Sequence, residues 1–155
     1  MIVMGDLEND NRSIVRRFGE ALNERNMDLL DELVAPDFMR HSQATPWIQI
    51  RSLDEFKRFL QDDWSGVPDG QTTPRFLVAE GDLVTLYCTY AGTQTGQWGP
   101  LPPSGKRFEL DFSGVFRIAG GRIAELWITW DNLSLLTQLG HMPPVQNRTD
   151  SGNSS

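Results

Sequence analysis

The 155-residue chain has a single cysteine, Cys88, so no intrachain disulfide can form. It also lacks any basic cluster. Fourteen Lys and Arg against 21 Asp and Glu leave a formal charge of −7 and a pI of about 4.7. A phosphate backbone or an anionic bilayer repels such a chain on average, so neither nucleic acid nor a membrane is expected as a partner. No run of apolar residues approaches the ~20 that span a bilayer. Met1-Ile2-Val3-Met4 is too short for a signal-peptide core and has no positive region ahead of it, which makes a cytoplasmic location the simplest expectation. No His, Cys, Asp and Glu set has metal-ligand spacing, and there is no phosphate-cradling glycine loop and no nucleophile elbow. Neither a metal nor a cofactor is therefore expected.

What is present suits one globular domain. Hydrophobic residues make up 39% of the chain, including five Trp and eight Phe, enough for a core and for an aromatic-lined cavity within it. The first half has helical spacing. Ile14, Val15, Phe18, Ala21 and Leu22 share one face of a helix over 11–25, which Asp10 or Asn11 can cap. A short helix over 27–34 ends at Pro36. Another over 52–64 carries Leu53, Phe56, Phe59 and Leu60 on one side, with Ser52 and Glu55 in the form of a capping box.

The second half reads as strands over 75–80, 83–93, 106–118 and 122–130, with tight turns at Gly81-Asp82 and Gly120-Gly121. A closing helix covers 132–139. The expected organisation is a flexible start over 1–10, an α+β domain over 11–142 and a disordered polar tail over 143–155. Several strands are apolar on both faces, and a sheet of that kind needs cover on both. Helices supply one cover; a second subunit is the simplest source of the other, so a homodimer or a higher oligomer is expected.

A series of short motifs carries a resemblance to a known family. They include Ala35-Pro36-Asp37-Phe38 with His41 just after, Glu80-Gly81-Asp82 and Gly92-Thr93-Gln94-Thr95-Gly96. The end of the chain has Gly121-Arg122-Ile123-Ala124-Glu125-Leu126-Trp127, then Asp131, then Gln138-Leu139-Gly140. In order and spacing the chain resembles the SnoaL-like polyketide cyclases, or ester cyclases, of the nuclear-transport-factor-2-like fold. The resemblance implies a curved antiparallel sheet with N-terminal helices on its concave face, forming a cone around an apolar pocket. It also implies a cofactor-free cyclase or isomerase that closes a ring in a polyketide-like ester by general acid/base catalysis.

In that pattern the catalytic acid/base falls on Asp131. Period-two alternation puts Ile123, Glu125, Trp127, Thr129 and Asp131 on one face of the last strand, and the family pattern turns that face to the cavity. Asp131 also begins the closing helix, where an aspartate caps free N–H groups. His41, where the family often has a histidine, is a second catalytic candidate. Trp127, Phe112, Tyr87, Phe59 and Trp64 are candidate pocket walls for a small-molecule substrate, each with core packing as the competing role. Gln94 belongs with them, at a position where many ester-cyclase-type relatives carry His. Glu125 and Arg117 are expected to pair across the last hairpin. Two other functions stay open: a non-catalytic small-molecule binder, and an epoxide hydrolase built around Arg107, Glu109 and Asp111, whose alternation with Phe108, Leu110 and Phe112 points them outward.

Overall fold

The computed structural model describes residues Met4–Pro143; the expected disordered tail from 144 onwards lies outside the described residues. Helix α1 spans Met4–Glu24, α2 Met27–Leu33, α3 Leu53–Gly66 and α4 Asn132–Leu139. The strands are β1 Val34–His41, β2 Gln71–Glu80, β3 Leu83–Thr93, β4 Arg107–Ala119 and β5 Arg122–Trp130. They form one sheet in the order β1-β5-β4-β3-β2, in which β1 and β5 are parallel and the remaining pairs antiparallel. No helix among the described residues is long and apolar enough to cross a membrane.

The part of the start expected to be flexible is helical from Met4. Tertiary bonds explain the extension: Glu8 Oε1 accepts from Gly81 N (3.1 Å), and the buried Asn11 donates to Gly81 O (3.2 Å). The polar first turns of α1 are thereby fastened to the β2–β3 turn, which hydrophobic spacing alone cannot reveal. Asp10 and Asn11 lie inside this helix and do not cap it. Further on, Val15, Phe18 and Ala21 are buried as their spacing predicts. At α3 the Ser52 hydroxyl accepts from Glu55 N (3.1 Å), while the Glu55 carboxylate reaches Arg51 N (2.6 Å).

Two strand boundaries depart from the sequence reading. Val34, expected to end the second helix, instead opens the strand β1, with Val34, Phe38 and Arg40 buried on one side. The arginine hides the alternation. β2 begins at Gln71 and runs through Pro74, which an edge strand tolerates because proline lacks the ladder's N–H donor.

The sheet's inner face packs against α1 and α3. Phe18 stacks on Phe56 at 6.0 Å and meets Phe116 edge-on at 5.5 Å, and Phe38 reaches Phe56 at 5.0 Å. In β5 the alternation is broken. Arg117 pairs with Glu125 but the next residue, Ile118, pairs with Ile123, so Ala124 is the extra residue of a bulge. Ile123 and Leu126 are both buried, whereas Trp127 is 40% exposed. The residues of β5 that turn inward beyond the bulge are therefore Leu126, Ile128 and Trp130. The expected cavity face of Glu125, Trp127 and Asp131 is the outer one.

Candidate functional site

The space between helices and sheet is a chamber of about 150 Å³, walled by Phe59, Phe112, Phe116, Leu126, Ile128 and Trp130, with Arg40, Asp63, Thr72 and Tyr90 among its polar residues. A cavity of ~150 Å³ holds one benzene-sized ring. Beyond it is a wider mouth of about 400 Å³ between the 44–48 and 98–101 segments and α4. Phe59, Asp63, Trp98, Trp130 and Leu135 border both spaces, so Asp63 stands where chamber and mouth meet.

Each polar group is placed by a regular element. Asp63 lies on α3 three residues beyond the buried Leu60 and seven beyond the buried Phe56, and so continues their face. Its Oδ1 accepts from Trp98 Nε1 (2.7 Å) and its Oδ2 from the Tyr90 hydroxyl (3.2 Å). Burial pushes the Asp63 carboxyl above the usual carboxylate range; those two bonds, then the charges of Arg25 and Arg40, act in the opposite direction. Tyr90 is raised as well, by burial first and then by the Asp63 charge. Arg40 projects inward from β1 with its guanidinium over the rings of Phe59 (4.7 Å) and Trp130 (5.8 Å). Burial lowers its pKa to about 10, with Asp63 partly offsetting the effect, which leaves it a cation at neutral pH.

Trp98 is held by close packing as well as by its bond. A Cβ at Gly66 would lie 2.8 Å from Trp98 Cβ and 2.9 Å from Gln97 O, so the end of α3 must be glycine for the 97–101 segment to come this close. Gln94 secures the far side. Wholly buried, it donates to Leu101 O (3.2 Å) and Pro102 O (3.0 Å), and its Oε1 bonds His141 Nε2 (3.0 Å) just past α4. With both amide hydrogens committed, Gln94 receives the His141 N–H.

Among the expected site residues, Phe59 and Phe112 line the chamber. The others stand elsewhere. Asp131 is exposed and caps α4, its Oδ1 accepting from Ser134 N (3.1 Å), because the bulge ends β5 with Trp130 inward. It borders neither chamber nor mouth. His41 lies on the outer face, with Nε2 2.6 Å from Glu125 Oε2 and its ring stacked on Trp127 at 5.4 Å. Glu125 also accepts from Arg117 Nε (3.1 Å), as the hairpin register requires. His41 first, and then Arg117, hold Glu125 below its ordinary pKa. His41 and Trp127 edge an open outer groove rather than the chamber, and Glu125 and Arg117 line neither space. Tyr87 is outside too, stacked on Phe76 at 5.2 Å with its hydroxyl toward Asp111. Trp64 packs on the core under the Arg25 guanidinium (5.0 Å). Gln94 is a fastening and not a wall. Arg107, Glu109 and Asp111 are exposed, as their parity predicts.

Sequence reasoning missed Arg40, Asp63, Tyr90 and Trp98. Asp63 left a signal: the apolar face Leu53, Phe56, Leu60 continues at helical spacing onto a carboxylate, an anomaly on a buried face. Arg40 left a fainter one, two residues after Phe38 and on the same face of β1. Trp98 left none, because its position depends on how the loop folds back over α3.

Helices closed over a curved sheet, with a ring-sized aromatic chamber and a half-buried carboxyl at its edge, define an α+β domain. The chain belongs to the SnoaL-like polyketide cyclase family, whose model matches residues 12–139, and it has the nuclear-transport-factor-2-like cone of that family. It is similar to IdmH, a candidate polyketide cyclase from Streptomyces antibioticus, at 30% identity over 84% of this chain and 98% of IdmH, with a TM-score of 0.74. TsrD from Streptomyces laurentii is 28% identical over 86% of this chain and 97% of its own, with a TM-score of 0.76. A LEH-like epoxide hydrolase from M. tuberculosis shares the fold at 19% identity and a TM-score of 0.69, over 86% of this chain and 92% of its own. No curated protein sequence matches significantly.

Proposed function

We propose that the chain is a cyclase or isomerase of small carbonyl compounds that works by general acid/base catalysis in the inner chamber, with Asp63 as the proton-transfer group. The observation that carries this reading is a half-buried carboxyl among aromatic rings at the point where chamber and mouth meet, where burial raises its pKa. A carboxyl whose pKa approaches the working pH both takes and returns a proton efficiently. The ionised carboxylate removes a proton from a carbon activated by a neighbouring carbonyl. The resulting carbanion attacks a second carbonyl carbon, and the new alkoxide oxygen takes the proton back from Asp63. One C–C bond forms, no atom leaves and nothing is oxidised, so the step is an isomerisation.

The chamber admits one ring-sized portion of such a substrate and the mouth holds the rest, which fits a polyketide-like ester or carbonyl compound. Family membership favours the same chemistry, with the acid/base role at Asp63 in place of Asp131. The decisive experiment compares wild type with Asp63→Asn on a panel of aromatic polyketide esters and acids, following ring closure by chromatography and binding by calorimetry. Turnover that Asp63→Asn loses while still binding supports the reading. Equal turnover in both proteins overturns it, and binding without turnover in both makes the protein a carrier.

A homodimer through the outer sheet face completes the proposal. Phe76 (55% exposed), Val78 (59%) and Trp127 lie there, beside the oppositely charged pairs Arg75–Asp111 and Arg117–Glu125. A face with both signs in balance can meet its own copy without net repulsion, despite the acidic chain.

A further inference from the structure

Arg40 is 6% exposed, yet its guanidinium is poorly provided with acceptors. Among the described residues its one side-chain hydrogen bond runs from Nη1 to Thr45 Oγ1 (3.1 Å), and no carboxylate forms an ion pair with it. An arginine carries a fork of several N–H donors, and no Arg40 nitrogen is among the dry, unpartnered side-chain atoms of the described residues, so its unbonded donors face accessible space rather than packed core. Phe59 and Trp130 cover the guanidinium but accept no strong hydrogen bond. Arg40 lines the chamber, and also the outer groove beside β1. The backbone is fixed as well, since Arg40 N bonds Ile50 O (3.0 Å), so the side chain is held inward rather than folded out to water.

We infer that the chamber takes a ligand bearing a carboxylate, whose two oxygens seat on the Arg40 guanidinium while its ring lies among Phe59, Phe112 and Trp130. The planar fork matches a carboxylate in paired hydrogen bonds, in a low-dielectric surrounding where charge-assisted bonds are strongest. Asp63 shares the chamber, and because burial favours its neutral form it opposes an incoming anion less than an exposed aspartate would. The inference deepens the proposed reading by narrowing its ester or carbonyl substrates to those that also carry a free carboxylate. It rests on that reading for the location of the site, not on proton transfer by Asp63.

Calorimetric titration of the full chain with benzoate and 2-naphthoate, each beside its methyl ester, tests it. The acids are expected to bind at least about tenfold tighter than the esters, a difference of about 1.4 kcal/mol. Arg40→Met is expected to abolish that preference, since an apolar side chain of similar volume often replaces a buried charge without loss of fold. Esters that bind as well as acids, no binding of either, or a preference that survives in folded Arg40→Met each overturn the inference. Should Arg40→Met fail to fold, the wild-type comparison decides by itself. Acid preference together with full turnover by Asp63→Asn would sink the acid/base reading and leave this inference standing.

Discussion

Asp63 is the residue at which stability and chemistry pull apart. Its carboxyl has a higher pKa folded than unfolded, so between those two values the folded chain binds more protons and is the more stable for it. As pH rises through that window the contribution is lost. Asp63→Asn is therefore expected to flatten the fall in thermal midpoint with rising pH, and to lower turnover by about 10²–10⁴. A midpoint whose pH dependence is unchanged in Asp63→Asn would show that Asp63 does not titrate in this way. Asp131 is expected to behave oppositely. Asp131→Ala removes the α4 cap at a cost of about 1 kcal/mol, some 2–4 °C in midpoint, while Asp131→Asn keeps the cap and changes little. Melting curves of both variants beside their turnover check it; a loss of turnover in Asp131→Asn at unchanged midpoint would return the catalytic role to the strand end. The two aspartates also mark what the residues reveal unaided. Family pattern and alternation favoured Asp131, whereas Asp63 had to be noticed as a charge on an apolar helix face.

At the scale of elements, the positions of the helices and the β3–β5 strands were legible because they follow regular periods. α3 and its Ser52 cap stand as their spacing predicts. What failed was local and had physical causes. One extra residue, Ala124, reverses the parity of β5 and carries Glu125 and Trp127 from the expected cavity face to the outer one. β1 was hidden by Pro36 and by an inward arginine, and with it went Arg40 and the true facing of His41. The 94–105 loop belongs to this scale as well, since one side chain joins it to His141, just past α4. Gln94→Ala leaves Pro102 O and His141 without their Gln94 partner and Leu101 O with the Trp98 N–H alone, at a cost of about 1–3 kcal/mol. Because that loop carries Trp98 and Leu101, the variant is expected both to melt several degrees lower and to bind aromatic ligands more weakly. Calorimetric melting with ligand titration checks both effects, and weaker melting with unchanged binding would separate the fastening from the mouth.

The whole molecule uses its sheet twice: the inner face makes the chamber and the outer face is left partly apolar. The row His41, Trp127, Val115, Thr85, Val78 crosses all five strands in register on that outer side, and Phe76 with Tyr87 stacks on the neighbouring row. Exposed side chains of this size on one face support the association surface proposed there. A two-fold partner laid across it covers Phe76, Val78 and Trp127 at once and leaves the mouth, on the helix side, open to substrate. The expected particle in sedimentation at micromolar concentration is therefore twice the 17.5 kDa chain mass. Val78 is 59% exposed, so Val78→Lys should change the stability of a single chain by no more than about 0.5 kcal/mol. In a dimer the same lysine is buried against the partner, and the particle should fall to the monomer mass with its chamber intact. A monomeric wild type removes the dimer altogether. A Val78→Lys protein that stays dimeric places the contact on another surface, and the apolar outer face then requires a different occupant.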